Sequence, residues 1–217
     1  MLLLFDIDGT LLLKASGAHA QAVHEALHEV YGVVEPPKVE AAGRTDYEIA
    51  RHICLLSGVS AERFDLGRAD FRLACVAAYA RLAPDDLSAH VSPGMLDVLE
   101  ALATRNGTRL GILTGNLEPI AHLKLVRAHL ARFFEPWVGG FGSDHEDRTE
   151  LPAIARRRAG GYPRSKTVVI GDTPRDIACA RADGVRCVAV ATGPFAVKEL
   201  GEADVVVRSA HELLDVL

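Results

Sequence analysis

The chain has 217 residues, of which 49% are hydrophobic and 24% charged, a composition typical of a globular protein with a substantial core. The formal net charge of -5 argues against binding to nucleic acid or to an anionic membrane surface. The four cysteines form no C-x-x-C pair, which argues against a disulfide framework and favours a reducing cytoplasm. Asp6 and Asp8 interrupt the apolar start of the chain, so we expect neither a signal peptide nor a membrane span.

The first elements are predicted to be one strand and then helices. The apolar run 2–7 indicates a buried strand. A helix follows, which Ser16 can cap and Gly32 can end. A capping box from Thr45 to Glu48 opens a second helix that stops near Gly58.

Strands return in the second half of the chain. A third helical stripe ends at Pro84, and Ser92 and Pro93 open a fourth helix, with Ser92 as its cap. Beyond it, short β-branched or apolar runs predict strands at 109–113, 167–170, 186–190 and 204–207, with a further candidate at 137–141. Because helical segments separate most of these strands, we expect an α/β domain with a mainly parallel sheet covered on both faces.

Polar groups cluster where the predicted strands end. Asp6 and Asp8 follow the first strand, Thr114 closes the next, and Asp172 and Asp176 follow a third. Each alone is typical of a turn or a helix cap. Together they would meet at the carboxyl edge of the sheet, where open parallel sheets bind ligands. Carboxylates so close repel one another, and a hard cation that takes oxygen ligands, such as Mg²⁺, relieves that repulsion.

These residues carry a resemblance to a known family. The run from Asp6 to Leu11 resembles the D-x-D-G-T-[LV] signature of the haloacid-dehalogenase (HAD) superfamily of phosphohydrolases, Thr114 matches its second motif, and Gly171 to Asp176 matches its fourth, G-D-x-x-x-D. The resemblance covers essentially the whole chain. It implies a Rossmann-like doubly wound parallel sheet, formed by residues 1–14 and 87–217. Residues 15–86 resemble the inserted α-helical cap of the phosphoglycolate phosphatase and β-phosphoglucomutase branch.

The third motif departs from the family pattern. The family usually places a Lys about two dozen residues before the fourth-motif Asp, and this chain has Arg148 there. Arg keeps the positive charge and adds bidentate geometry towards phosphate. Lys166 is a rival, but it begins its predicted strand, at the wrong end of the sheet. Lys124 lies one helix further back and is predicted to be a surface residue.

By resemblance, the chain is a phosphatase that forms an aspartyl-phosphate. Asp6 would attack phosphorus, and Asp8 would protonate the leaving oxygen and then activate water. Mg²⁺ would be held by Asp6, Asp172 and the backbone carbonyl of Asp8, with Asp176 just behind these ligands.

The remaining site residues are assigned to substrate binding. Thr114, the amides near Gly115 and Asn116, and Arg148 would hold phosphate oxygens, and Gly9 belongs to the same substrate site. The cap would supply selectivity and exclude water.

Arg44 is the candidate residue of the cap for selectivity. It stands at a predicted helix start, where it could meet a second anionic group, as in phosphoglycolate. The alternative is a solvated Arg beside an ordinary capping box. The expected partner is a small phosphorylated metabolite, and the chain is expected to be a monomer or a homodimer.

Other functions stay open at this point. A phosphomutase would use the same Asp6 and Asp8, whereas a haloacid dehalogenase needs no metal, so the acidic set argues against it. A non-catalytic protein is disfavoured because both aspartates are present. His24 to His28 spells H-E-x-x-H, a zinc-protease signature, but the sequence offers no committed third ligand, although His19 is near.

Overall fold

A six-stranded parallel sheet forms the centre of the molecule, in a computed structural model that describes all 217 residues. Its strands are β1 Leu2–Phe5, β2 Arg109–Thr114, β3 Gly139–Phe141, β4 Thr167–Gly171, β5 Arg186–Val190 and β6 Val205–Val207. Their order across the sheet is β3-β2-β1-β4-β5-β6, so the strand order reverses beside β1. This is the predicted doubly wound α/β fold, and it places a ligand crevice at the carboxyl end of β1.

Helices cover both faces of the sheet. They are α1 Gly17–Tyr31, α2 Asp46–Leu56, α3 Ala61–Leu82, α4 Met95–Ala103, α5 Glu118–Arg127, α6 Leu151–Arg158, α7 Pro174–Asp183 and α8 Leu213–Val216. The alternation of β1 shows how the layers form: Leu3 and Phe5 pack with α4, α5 and α8, whereas Leu2 and Leu4 pack with α6 and α7. All four side chains are buried, and each such burial contributes about 1.5–3 kcal/mol.

The first three helices form a second hydrophobic unit, which we call the helical insert. Val23 and Leu27 of α1 pack there with Ile53 of α2 and with aromatic side chains of α3. Leu117 and Ile120, at the start of α5, belong to the same cluster. The insert therefore rests on the part of the core that directly follows β2.

Two predicted helix caps are wrong. Ser16 has helical dihedral angles (φ -84°, ψ -11°) and its side chain makes no capping hydrogen bond, because a capping side chain needs an extended backbone. The fourth helix begins at Met95 rather than at Pro93. The Ser92 amide donates to the Leu11 carbonyl (2.9 Å), which holds Ser92 against the loop after β1 and keeps it out of the helix.

Most other predicted boundaries agree with the structure to within one or two residues. The candidate strand at 137–141 is β3, shortened to Gly139–Phe141, and the first strand ends at Phe5 rather than at residue 7. The predicted capping box of α2 is half present: the Thr45 side chain accepts from the Glu48 amide (3.1 Å). None of the helices is both long and apolar enough to cross a membrane.

Candidate active site at the carboxyl edge of the sheet

The loop after β1 carries the first two aspartates. The Asp6 amide donates to the Ile170 carbonyl of β4 (2.8 Å), so this residue stays attached to the sheet after β1 ends. Gly9 follows with φ +96°, and a Cβ there would lie 2.2 Å from Oδ2 of Asp172. Only glycine fits this turn, because the carboxylate at the end of β4 lies directly against the backbone of the loop.

Three buried carboxylates converge beside this loop. Ligand atoms of Asp6, Asp172 and Asp176 all lie within 4.8 Å of one another. Asp172 follows β4 and accepts a hydrogen bond from the Thr10 hydroxyl (3.1 Å), while Asp176 lies in the first turn of α7. A reciprocal capping box with Thr173 fixes Asp176, so its predicted helix-end role and its place in the cluster are both real.

The charges of this cluster are poorly compensated. Burial raises the pKa of Asp6 well above its ordinary value, and although Arg148 opposes this, Asp176 and Asp172 add to it. Burial and the charge of Asp176 raise the pKa of Asp172 to about 7. Oδ2 of Asp172 is buried and has no hydrogen-bond partner. Oxygen-only donors with one carboxylate oxygen unsatisfied fit Mg²⁺, and they are the residues predicted to hold it, together with the carbonyl of Asp8.

Arg148 supplies the positive charge of the cluster. Its Nη2 donates to Oδ1 of Asp6 (2.8 Å) and to Oδ1 of Asp176 (2.5 Å). The side chain enters from a single 3-10 turn, Arg148–Glu150, that follows β3 along the chain. Burial disfavours this charge, yet Asp176 and Asp6 raise the pKa of the guanidinium above its ordinary value. The residue predicted from spacing thus lies against the predicted nucleophile, whereas the rival Lys166 is exposed just before β4.

Asp8 has a different partner. Nζ of Lys124 donates to both of its carboxylate oxygens, at 2.7 and 2.6 Å. Burial alone would raise the pKa of Asp8, but the ammonium of Lys124 lowers it below its ordinary value. The prediction that Lys124 is a surface residue is wrong, because its side chain is 0% exposed.

The sequence did contain a signal for Lys124. It follows Ile120 by four residues and Ala121 by three, which places it on the apolar face of α5. A charged residue on a buried helix face needs a partner, because an unpaired charge is costly to bury. That pattern, examined on its own, indicates a buried ion pair.

The segment after β2 joins the sheet to the helical insert. The Thr114 hydroxyl accepts from the Asn116 amide (3.3 Å), and the Asn116 side-chain oxygen accepts from Lys124 (2.8 Å). A Cβ on Gly115 would lie 2.0 Å from the carbonyl oxygen of Arg44. The backbones of the core and the insert therefore touch here, and a side chain on Gly115 would separate them.

A cavity of about 790 Å³ lies between the insert and the carboxyl edge of the sheet. Its walls include all but one of the predicted site residues, namely Asp6, Asp8, Gly9, Arg44, Thr114, Gly115, Asn116, Arg148 and Asp172. Asp176 is not part of the cavity wall, because it is fully buried and in contact with Arg148. The cavity wall also contains two lysines that were not predicted as site residues, Lys14 and Lys38.

Arg44 lies in the cavity wall but already has partners. Its Nη1 donates to Nδ1 of His52 (2.9 Å), and its Nε lies 3.3 Å from Oε1 of Glu48. Both partners belong to α2, so the guanidinium is held against the helix that follows Arg44 in the chain. An anion that binds Arg44 must compete with Glu48.

The alternative metal site of the sequence analysis does not form. His24 and His28 are both exposed on α1, and no third ligand joins them. Glu25, between them, forms an ion pair with Arg81 of α3. The H-E-x-x-H run is therefore part of the solvent-facing side of α1.

Comparison with known proteins agrees with this geometry. Residues 3–181 match the family described as haloacid dehalogenase-like hydrolase. The phosphoglycolate phosphatase of Rhodospirillum rubrum is 34% identical over 197 residues, which are 88% of this chain and 79% of that protein. Phosphoglycolate phosphatase 1 of Pseudomonas aeruginosa is 26% identical over 195 residues, which are 88% of this chain and 70% of that protein.

Solved structures share the fold. A hydrolase from Pseudomonas syringae superposes with a TM-score of 0.70 at 22% identity, over 99% of this chain and 96% of that one. CbbY from Rhodobacter sphaeroides, solved in complex with phosphate, gives a TM-score of 0.64 at 22% identity, over 98% and 95% of the two chains. At this identity the likeness extends to the architecture and no further.

Proposed function

Since the chain belongs to the haloacid dehalogenase-like hydrolase family and is a phosphatase, we propose that it hydrolyses a small phosphate monoester that carries a second anionic group, such as phosphoglycolate. One observation carries the proposal. Asp6, bonded to Arg148 and grouped with Asp172 and Asp176, lies on a cavity whose wall also holds Asp8. A nucleophilic carboxylate, a second carboxylate for proton transfer and a cationic phosphate clamp are the groups that phosphoryl transfer to an enzyme carboxylate requires.

In the first step, an oxygen of Asp6 attacks phosphorus and the bond to the leaving oxygen breaks. Asp8 gives a proton to the leaving oxygen, which departs as an alcohol. Because Lys124 favours the ionised form of Asp8, this carboxyl carries the proton only while the anionic substrate lies beside it and raises its pKa. Arg148 and the amides near Gly115 hold the phosphoryl oxygens, while Thr114 accepts a hydrogen bond from the turn that presents those amides.

In the second step, water attacks the phosphorus of the aspartyl-phosphate. Asp8 takes the proton of this water, the bond between Asp6 and phosphorus breaks, and phosphate leaves. Asp8 is protonated again, so the sum is ester plus water to alcohol plus phosphate.

We assign Mg²⁺ to Asp6, Asp172 and the carbonyl of Asp8. When bound, it supplies positive charge that offsets the repulsion between Asp6 and the anionic substrate. The unsatisfied oxygen of Asp172 and the raised pKa of Asp6 support this assignment.

We further propose that residues 15–86 act as the cap domain that selects the substrate. The insert forms the wall of the cavity opposite Asp6, and it contributes the cations Lys38 and Arg44 to that wall. The names of the relatives favour phosphoglycolate, in which a carboxylate lies two bonds from the phosphate ester oxygen. The phosphate of this substrate would face Asp6, and its carboxylate would face the insert.

The test is hydrolysis of p-nitrophenyl phosphate and of a panel of small phosphate esters, with Mg²⁺ and with EDTA. We expect turnover with Mg²⁺, at least a ~100-fold loss with EDTA, and phosphoglycolate among the best esters. Asp6→Asn should lower kcat by at least ~10⁴-fold while the circular dichroism spectrum stays unchanged, since the amide cannot attack phosphorus.

Each part of the proposal has its own contrary outcome. An Asp6→Asn protein with full activity would refute the mechanism. Equal rates with Mg²⁺ and EDTA would refute the metal assignment. Transfer of the phosphoryl group to a sugar phosphate, rather than to water, would identify a mutase.

A further inference from the structure

Lys124 is the one fully buried lysine in the molecule, and it lies where the core meets the helical insert. Its ammonium has three donors, and all are used: on the Asp8 carboxylate, on Oδ1 of Asn116 (2.8 Å) and on Nδ1 of His19 (3.2 Å). Because the side chain has no exposed surface, it does not reach a molecule in the cavity. Whatever Lys124 contributes to the reaction must act through the groups that it holds.

The bonding also fixes the tautomer of His19. An ammonium only donates, so Nδ1 of His19 accepts and Nε2 carries the proton. Nε2 lies 3.1 Å from Oδ2 of Asp46, the first residue of α2, and donates to it. The result is an ordered series of hydrogen bonds from Asp8 through Lys124 and His19 to Asp46.

Asp46 connects this series of hydrogen bonds to the core. Its carboxylate accepts from the Leu117 amide (2.7 Å), and its own amide donates to the Gly115 carbonyl (2.8 Å). Both contacts lie just after β2, in the segment that carries the predicted phosphate-binding amides. The series of hydrogen bonds therefore starts at the predicted acid–base carboxylate, continues into the insert and ends at the predicted phosphate-binding segment.

Stability alone does not explain a lysine at this position. It lies on the apolar face of α5, where Ile120 and Leu125 are buried and where a methionine would fill the same space. Replacing a buried ion pair by apolar residues is often neutral or stabilising, so a buried ion pair is weak evidence of a stabilising role. By contrast, contact with both oxygens of Asp8 fixes the plane of its carboxylate, which a catalytic proton donor requires.

We propose that Lys124 is the positioning residue of Asp8, and that through His19 and Asp46 it ties the geometry of the catalytic acid to the docking of the helical insert. The proposal rests on the proposed phosphatase function. It assigns Lys124 no contact with substrate.

The test compares esters with good and poor leaving groups. Nitrophenolate leaves without a proton, whereas an alkoxide needs one, so only alkyl phosphates depend on a well-placed acid. The value of kcat/KM reports the first chemical step and is measured for Lys124→Met on p-nitrophenyl phosphate and on phosphoglycolate. We expect a loss of about 100-fold on phosphoglycolate and of less than about fivefold on p-nitrophenyl phosphate.

Three further variants serve as controls for this comparison. Lys166→Met removes an exposed lysine outside the site and should match the wild type on both esters. Lys124→Gln keeps a polar donor in the buried position and should show the same selective loss in smaller measure. Asp8→Asn combined with Lys124→Met should be no slower on phosphoglycolate than Asp8→Asn alone, because the lysine acts only through Asp8.

Equal losses on the two esters, no loss on either, or additive losses in the double variant would each overturn the proposal. Thermal unfolding followed by circular dichroism verifies that the variants compared are folded. A wild-type protein that hydrolyses no ester would refute the phosphatase function itself. An active wild type with an unselective Lys124→Met protein would refute only the role of Lys124.

Discussion

Asp6 and Asp8 lie two residues apart, yet the molecule surrounds them with opposite environments. Asp6 faces Arg148, Asp172 and Asp176, which all belong to the core, and its pKa is raised. Asp8 faces Lys124, which is itself held by His19 of the insert, and its pKa is lowered. One carboxylate is thus held by the core alone, and the other by the junction between the core and the insert.

This difference separates two tasks. The surroundings of Asp6 leave negative charge to be neutralised, as a site for a cation and a phosphate needs. The surroundings of Asp8 fix the orientation of a single carboxylate, as directed proton transfer needs, and the ammonium that fixes it favours the ionised form. We therefore expect changes around Asp6 to affect metal and phosphoryl chemistry, and changes towards the insert to affect selectivity between substrates.

Among the residues that surround these two aspartates, the largest effect should come from Arg148, the only cation in direct contact with Asp6. Arg148→Met removes the charge that bridges Asp6 and Asp176, and we expect kcat on p-nitrophenyl phosphate to fall by about 10²–10³-fold. Arg148→Lys keeps the charge but loses the planar fork, so about a tenth of the activity should return. Steady-state kinetics with saturating Mg²⁺ measures both.

The matched control is Arg157→Met, which removes an exposed arginine of α6 outside the cavity and should leave kcat unchanged. Arg148→Met with wild-type kcat would exclude Arg148 from the place of the family's third-motif lysine. The cation of the third motif would then be unassigned in this chain.

A smaller effect should appear in the pH dependence of stability without metal. The pKa of Asp172 is raised to about 7 from an ordinary value of 3.8, so between these values the folded protein binds more protons than the unfolded chain. Stability from this group is therefore complete below about pH 4 and is lost as the pH rises to about 7. With EDTA, we expect Tm to fall by a few degrees from pH 5 to pH 7.5, more than in Asp172→Asn.

Addition of Mg²⁺ should raise Tm more at pH 7.5 than at pH 5, because the metal binds the ionised carboxylates. Wild-type and Asp172→Asn proteins with the same dependence of Tm on pH would contradict the high pKa of Asp172. Differential scanning fluorimetry is sufficient for this comparison.

The two environments were not equally predictable from the sequence. The position of Asp6, Asp172 and Asp176 at the ends of buried strands predicts their meeting, because parallel strands align their carboxyl ends. Arg148 could be placed by spacing in the family pattern. The partner of Asp8 could not, because Lys124 reaches it from a helix more than a hundred residues away along the chain.

Helix ends show the same limit. The caps of α2 and α7 depend on residues three apart, and the structure has Thr45 and Thr173 bonded as local patterns allow. Ser92 follows an equally good local pattern, but its amide is bonded to Leu11, from a distant part of the chain. Tertiary contacts thus decided both the start of α4 and the burial of Lys124.

The smallest effect should come from Arg44, on the insert side of the cavity. Arg44→Met should raise KM for phosphoglycolate by about three- to tenfold, and leave KM for p-nitrophenyl phosphate unchanged, because only the first ester has a second anionic group. The effect is small because Arg44 already forms an ion pair with Glu48 and a hydrogen bond to His52, so an incoming carboxylate competes with the existing partners. Arg72→Met, on an exposed position of α3 outside the cavity wall, is the matched control. If KM rises equally for both esters, Arg44 maintains the shape of the insert rather than recognising the carboxylate. The residue that binds the carboxylate of the substrate would then be Lys14 or Lys38, the other cations of the cavity wall outside the acidic cluster.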